Sequence, residues 1–121
     1  MSYYVVVESS QVLFLLPLTI VDMIVDCDSL EDQKVIDLSS LFHNEQTQGS
    51  YAILIKDQQL ALVVDKVEDV LEVSQEKIIP FNHIVLKKKI PFVQGVISHH
   101  EQLCFVLLES VLDVLIKNKD G

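Results

Sequence analysis

Apolar residues along this chain gather in short runs separated by polar breaks, which is the spacing of strands more than of helices. Tyr3–Val7 is aromatic and β-branched and predicts a first strand. Glu8-Ser9-Ser10-Gln11 predicts a turn, and Val12–Leu16 the returning strand. Pro17 closes that strand, because it lacks the amide donor that a central ladder needs. Leu18–Met23 predicts one or two helical turns, since proline is well tolerated in a first turn, and Met23-Ile24-Val25 reads as extended. Ser39–Phe42 predicts a short helical turn, and the polar stretch His43–Ser50 a loop joining the two halves of the chain.

The strongest pattern lies in the middle. Tyr51–Lys56 and Leu60–Val64 are apolar runs joined by Asp57-Gln58-Gln59, which reads as a β-hairpin. Leu60-Ala61-Leu62-Val63-Val64 is apolar without interruption, so burial on both faces is expected. Asp65 ends that run, where a strand leaves a core or turns a barrel corner. Ser74–Lys77 has the start of a helical turn with Ser74 at its N-cap. Pro80 and Pro91 bracket a loop region containing His83–Leu86. Phe92–Ile97 and Leu103–Leu107 read as the last strands, joined through Ser98–Gln102. Glu109–Ile116 reads as a closing helix with Val111, Leu112, Leu115 and Ile116 at helical spacing and Lys117 and Lys119 suiting its C-terminal end.

Composition narrows the function. At 121 residues the chain suits one domain with a real core, which must be aliphatic because tryptophan is absent. The formal net charge is −9, and every basic residue is a lysine. Nucleic acid is excluded as a partner on that balance, since phosphate contacts need a basic face and bidentate readout is mainly arginine's work. An anionic membrane surface is disfavoured equally. The longest apolar stretch near the N-terminus, Val12–Val21, is broken by Pro17 and Thr19 and is too short to cross a bilayer, so no membrane insertion and a cytoplasmic location are expected. Cys27 and Cys104 sit beside hydrophobic residues and are expected as buried free thiols.

Candidate chemistry adds little. His99-His100-Glu101 resembles part of a metal site, but adjacent strand residues point to opposite faces, which favours a solvated turn. His43 and His83 are isolated and read as surface residues. With three glycines, one of them Gly121, there is no nucleophile elbow and no phosphate cradle. Cys104 lies in an apolar run where burial suppresses thiol reactivity. Glu68-Asp69 and Glu31-Asp32 are neighbours that splay apart, and Lys87-Lys88-Lys89 reads as a soluble loop. No catalytic, metal or cofactor residue is assigned, and no enzyme is expected.

The order of several weak elements is more specific than any one of them. Val63-Val64-Asp65-Lys66-Val67-Glu68-Asp69-Val70-Leu71, then Ile78-Ile79-Pro80, then Val93-Gln94-Gly95-Val96 and a last strand running into a helix resemble the second half of the CheW-like domain. That family contains the adaptor coupling bacterial chemotaxis receptors to the histidine kinase CheA. In the first half, Ile20-Val21-Asp22-Met23 resembles the family's V-x-E-[VI] and Val35-Ile36-Asp37-Leu38-Ser39 its P-V-I-D-L-R. Between these landmarks the family carries a loop and a strand reading G-V-x-N-x-R-G, whereas this chain has only Asp26–Lys34. The Asp28–Gln33 turn is therefore expected to join Met23–Cys27 to Val35–Leu38 as an irregular hairpin.

The resemblance implies an all-β fold of two small, intertwined, SH3-like five-stranded barrels with short helices, the first barrel abbreviated. The whole chain, 1–121, would form one such domain, with residues 1–45 as the abbreviated first half and 46–121 as the second half and C-terminal helix. It also implies a non-catalytic adaptor. The end of one barrel would pack on the regulatory domain of a CheA-type kinase, and a groove between the barrels would take a chemoreceptor's cytoplasmic tip. The residues at matching positions are Ile20, Asp22, Val64, Asp65, Val67, Gly95 and Val96. The missing module puts a second reading beside it, a divergent paralogue that binds a kinase or itself without a receptor. A third, of another class, is a small β-barrel structural or ligand-binding subunit.

Overall fold

The computed structural model describes residues 2–42, 49–80 and 90–120, with the side chains of 118–120 left out. His43, His83 and Lys87–Lys89 lie outside the described residues. The strands in chain order are β1 (Ser2–Ser9), β2 (Val12–Pro17), β3 (Val21–Asp26), β4 (Lys34–Asp37) and β5 (Tyr51–Ile55). They continue with β6 (Leu60–Val64), β7 (Lys66–Val73), β8 (Ile79–Pro80), β9 (Val93–His99) and β10 (Gln102–Leu107), and the chain closes with helix α1 (Val111–Asp120). Among the described residues these strands form two sheets, one ordered β7-β1-β2-β10-β9-β8 and the other β3-β5-β6-β4. The all-β fold expected from the sequence is what forms, but its strands divide six and four instead of five and five, and the smaller sheet takes β3 and β4 from the first half and β5 and β6 from the second.

The two halves of the chain interlock. β1 and β2 come from the first half yet sit in the larger sheet, where β1 pairs with β7 and β2 runs parallel to β10. The period-2 alternation of side chains then gives this hairpin two buried faces. Val5, Val7, Phe14 and Leu16 enter a core shared with the smaller sheet, and Tyr4, Val6, Leu13 and Leu15 enter a second core within the larger one. β6 is buried along its whole length, as its unbroken apolar run predicts: it is flanked by β5 and β4, and Leu60, Leu62 and Val64 on one face enter the shared core. Val111 and Leu115, one helical turn apart on α1, enter the shared core. Phe42 stacks between Phe14 (centroids 4.7 Å) and Phe92 (5.5 Å), tying the turn after β4 to both β2 and the segment entering β9.

Several local expectations are corrected. β3 and β4 are not a hairpin; they stand at opposite ends of the smaller sheet, with the β5–β6 hairpin between them. The cause is β6, which needs a neighbour on each side, and β4 supplies one by pairing with it in parallel. Residues 27–33 therefore carry the chain from one edge to the other. Helix after Pro17 is limited to a 3-10 turn at Leu18–Ile20, because Val21 already pairs with Ile55. The closing helix runs Val111–Asp120 instead of Glu109–Ile116. Ser74 occupies the cap of the turn Gln75–Lys77 but its side chain makes no cap hydrogen bond. Asp37, by contrast, caps the turn Leu38–Leu41, accepting from the Ser39 backbone N–H (3.0 Å) and hydroxyl (2.8 Å).

Two turns are tighter than expected. Ser10–Gln11 and His100–Glu101 close β1–β2 and β9–β10 with both residues at positive φ, 52° and 68° in the first, 50° and 66° in the second. That geometry matches the right-handed twist of paired strands, but without glycine or asparagine it costs about 1–2 kcal/mol per residue. The left-handed backbone at His100 also brings the His99 and His100 rings together, centroids 4.0 Å apart, where opposite faces were expected.

Candidate functional site

The residues singled out from the sequence do not share one surface. Ile20 and Val64 lie in the shared core, and Val67 is half-buried against it. Asp22 is on β3 and exposed, so it does not cap the turn after Pro17. Gly95 is buried and Val96 half-buried on β9, opposite Pro80 and Ile79. A side chain at Gly95 would run into the backbone carbonyl of Ile79, so glycine is required there for the close approach of β8.

Asp65 has a definite structural task. It is the single residue between β6 and β7, where the chain leaves the smaller sheet and joins the larger. Its N–H donates to the Glu8 carbonyl (2.8 Å), and its carboxylate accepts from the Ser10 N–H (2.8 Å). The crossover is thus clamped to the strained β1–β2 turn. The adjoining Lys66–Glu8 ion pair, at 3.9 Å with Lys66 mostly exposed, adds little. Asp65→Ala is expected to cost about 1–3 kcal/mol, because it leaves the Ser10 N–H without its acceptor. Asp65→Asn, which keeps an oxygen acceptor, should cost less. Urea unfolding of the two variants checks the order.

A concavity lies at the other end of the same hairpin. It is an open cleft of about 820 Å³, lined on the larger sheet by Tyr3, Tyr4 and Leu107 and across from them by Leu18, Thr19 and Lys56. Leu108 and Glu109 follow β10 into its margin. Tyr3 is 53% exposed and Leu108 36%, so the cleft presents apolar surface to solvent. Several of its polar groups are already engaged. The Thr19 hydroxyl donates to Glu109 Oε1 (2.8 Å), Gln75 Nε2 donates to the Tyr4 hydroxyl (3.1 Å), and Gln94 Nε2 donates to Gln75 Oε1 (2.5 Å). The neighbouring Glu72 carboxylate, opposite Tyr3 in the β1–β7 ladder, raises the Tyr3 phenol above its ordinary range by hydrogen bonding and by its charge. The cleft therefore offers aromatic and aliphatic surface with a fixed polar edge and Lys56 as an exposed cation. That composition suits an apolar element of a protein partner better than bond-making chemistry.

No signal in the sequence pointed to Tyr3, Leu18, Leu107 and Leu108 together, because the cleft is assembled from segments far apart in the chain. The apolar pair Leu107-Leu108, running past the end of a strand, was the only local hint.

Other reactive groups are quiet. Among the described residues no three of His, Cys, Asp and Glu gather as a metal-ligand set. Both cysteines are free. Cys104 is buried, and burial, then Glu68, raises its thiol pKa. Cys27 is only half-buried, contrary to expectation, because β3 is an end strand. Partial burial followed by Asp28, Asp26 and Asp37 raises its pKa as well, and its Sγ lies 3.3 Å from the Gly49 carbonyl. No helix among the described residues is long and apolar enough to cross a membrane.

Comparison with known proteins agrees with this architecture. The family model of the CheW-like domain matches residues 33–114, well over half of the chain. The chain belongs to the CheW-like family. CheW-like proteins are non-catalytic scaffolds of chemotaxis signalling that interact with chemoreceptors and with CheA. Among solved structures, the CheW-like fold here is similar to the crystal structure of the scaffolding protein TtCheW from Thermoanaerobacter tengcongensis. The TM-score is 0.70 at 19% identity, covering 89% of this chain and 84% of that one. No curated protein sequence matches the chain.

Proposed function

We propose that this chain is a cytoplasmic, non-catalytic adaptor that couples a chemoreceptor's cytoplasmic tip to the regulatory domain of a CheA-type histidine kinase. The observation that carries the reading is the apolar cleft at the open end of the β1–β2 hairpin, with Tyr3 and Leu108 exposed in a CheW-like fold. A receptor tip presents helical apolar residues, which such a cleft can desolvate while Lys56 and Glu109 meet its polar flank. Asp22, exposed on β3, stands on a separate face and is assigned to the kinase contact. Ile20, Val64, Asp65, Val67, Gly95 and Val96 support these surfaces from behind or from within the sheets.

The short connection between β3 and β4 favours a second reading, in which the kinase is bound and the receptor is not. Titration of the chain with each partner separately, then with both, distinguishes the two. The adaptor reading expects both binary complexes and a ternary one; the second expects the kinase complex alone. Asp22→Lys should weaken kinase binding, chiefly through a slower and less salt-dependent association, with the melting temperature almost unmoved. A lowered melting temperature with unchanged kinase affinity would assign Asp22 to structure.

A further inference from the structure

The outer edge of β3 combines features that the cleft does not use. The Cys27 N–H donates to the Ser50 carbonyl at 3.1 Å, in register with the β3–β5 ladder. Antiparallel ladders alternate, so Met23 and Val25 turn their backbone N–H and C=O groups toward β5, while Ile24 and Asp26 turn theirs away from it. β3 is an end strand, and no other strand among the described residues receives those groups. Ile24 stands opposite Ile53, a fully buried core residue, and so faces the core side of the sheet; it is nonetheless 40% exposed. Met23, on the other face, is 54% exposed. The β3–β5 ladder is bulged at Asp22 and regular from Met23 to Asp26, and an inward-facing isoleucine left open on that regular part is the geometry that one further strand would cover.

Charge selects what that strand can be. Asp22, Asp26 and Asp28 are all exposed on or just after this strand, and none of their carboxylates has an ion-pair partner among the described residues. A second copy of the chain is disfavoured: antiparallel pairing of two β3 edges about Ile24 would set Asp22 against Asp26 on both sides, and like charges directly opposite are destabilising. An extended segment with cationic ends meets the same edge with complementary charge. We propose that β3 accepts, by strand addition, an extended apolar segment flanked by lysine or arginine. This goes beyond the adaptor reading and does not depend on it.

The test uses the full chain and two synthetic peptides, acetyl-Lys-Lys-Val-Thr-Val-Thr-Lys-Lys-amide and its counterpart with glutamate in place of every lysine, read by residue-resolved amide hydrogen exchange. The lysine peptide should slow exchange at Ile24 and Asp26 by about tenfold or more, and less so as salt is raised. The glutamate peptide should not slow it. Ile24→Pro removes an outward N–H without touching the β3–β5 ladder, a position where an edge strand tolerates proline, and should abolish the protection with circular dichroism unchanged. A double Asp22→Lys, Asp26→Lys variant should move the preference to the glutamate peptide, which holds the test open even if the proline variant fails to fold. No protection from either peptide, or equal protection from both, would overturn the proposal and leave the carboxylates as a device that keeps the edge unpaired. Neither receptor nor kinase is present, so that failure leaves the adaptor reading standing.

Discussion

Leu16→Ala and Leu15→Ala are each expected to cost about 2–5 kcal/mol, and in both variants the whole chain should still unfold in one transition. The two leucines are adjacent on β2 and fully buried, but they enter different cores, Leu16 the one shared between the sheets and Leu15 the one inside the larger sheet. If the sheets were separable units, a hole in one core would melt one unit first. The β1–β2 hairpin is the wall of both cores, so neither can be lost alone. A chain of this size has only about 5–15 kcal/mol of stability in total, and the double variant should sit near the point of unfolding in water. Urea unfolding followed by tyrosine fluorescence and far-ultraviolet circular dichroism should give coincident curves for each single variant. Curves that separate would contradict the interlocked arrangement.

Gly95→Val is the second change with a large expected effect. A Cβ at this position meets the Ile79 carbonyl carbon and Pro80 Cα as well as the Ile79 oxygen, all of them backbone atoms that cannot rotate aside. β8 must move away from β9, breaking the pairing of Ile79 with Val96 and of Pro80 with Gly95. Overpacking of this kind typically costs about 1–3 kcal/mol, and the lost ladder adds to it. Gln94, the neighbour of Gly95, holds Gln75 in the wall of the cleft, so the cleft should be disturbed too. Gly95→Ala should show most of the loss already, since the first carbon makes the clash. Thermal unfolding of the two variants checks this; an alanine variant as stable as the parent would show that β8 has room to give.

The hairpins were legible in the sequence because their pattern is local. β1–β2, β5–β6 and β9–β10 each read as two apolar runs around a polar break. Their partners across the sheets were not legible. The parallel pairs β2–β10 and β4–β6 join segments with no signal in common, and the expected β3–β4 hairpin failed because nearness in sequence stood in for pairing. The tight turns were overestimated in length because Ser10–Gln11 and His100–Glu101 lack the glycine or asparagine that usually marks positive φ. Among the candidate residues, a glycine within an otherwise apolar strand suggests close backbone approach or a bulge, and at Gly95 the structure shows the close approach, to Ile79. Ile20 and Val64 were ambiguous for a physical reason: an aliphatic residue in a core and one at an interface have the same sequence pattern. Asp65 reads from the sequence as the place where the chain leaves a core, which it is, but its clamp on Ser10 was not legible, since that acceptor role depends on a turn far away in the chain.

If the chain is a receptor–kinase adaptor, the cleft is the expected seat of the receptor tip. Calorimetric titration of the chain with a soluble receptor-tip fragment, comparing the parent with Leu108→Asp, tests it most directly. The Leu108 backbone N–H is fixed by the Phe92 carbonyl at 2.7 Å, and its side chain is exposed, so the substitution should leave the melting temperature nearly unchanged. The predicted result is a loss of receptor-tip affinity of at least about tenfold, roughly 1.4 kcal/mol, with affinity for the kinase regulatory domain retained. Receptor-tip affinity unaffected by Leu108→Asp would mean that the cleft is not where a receptor binds.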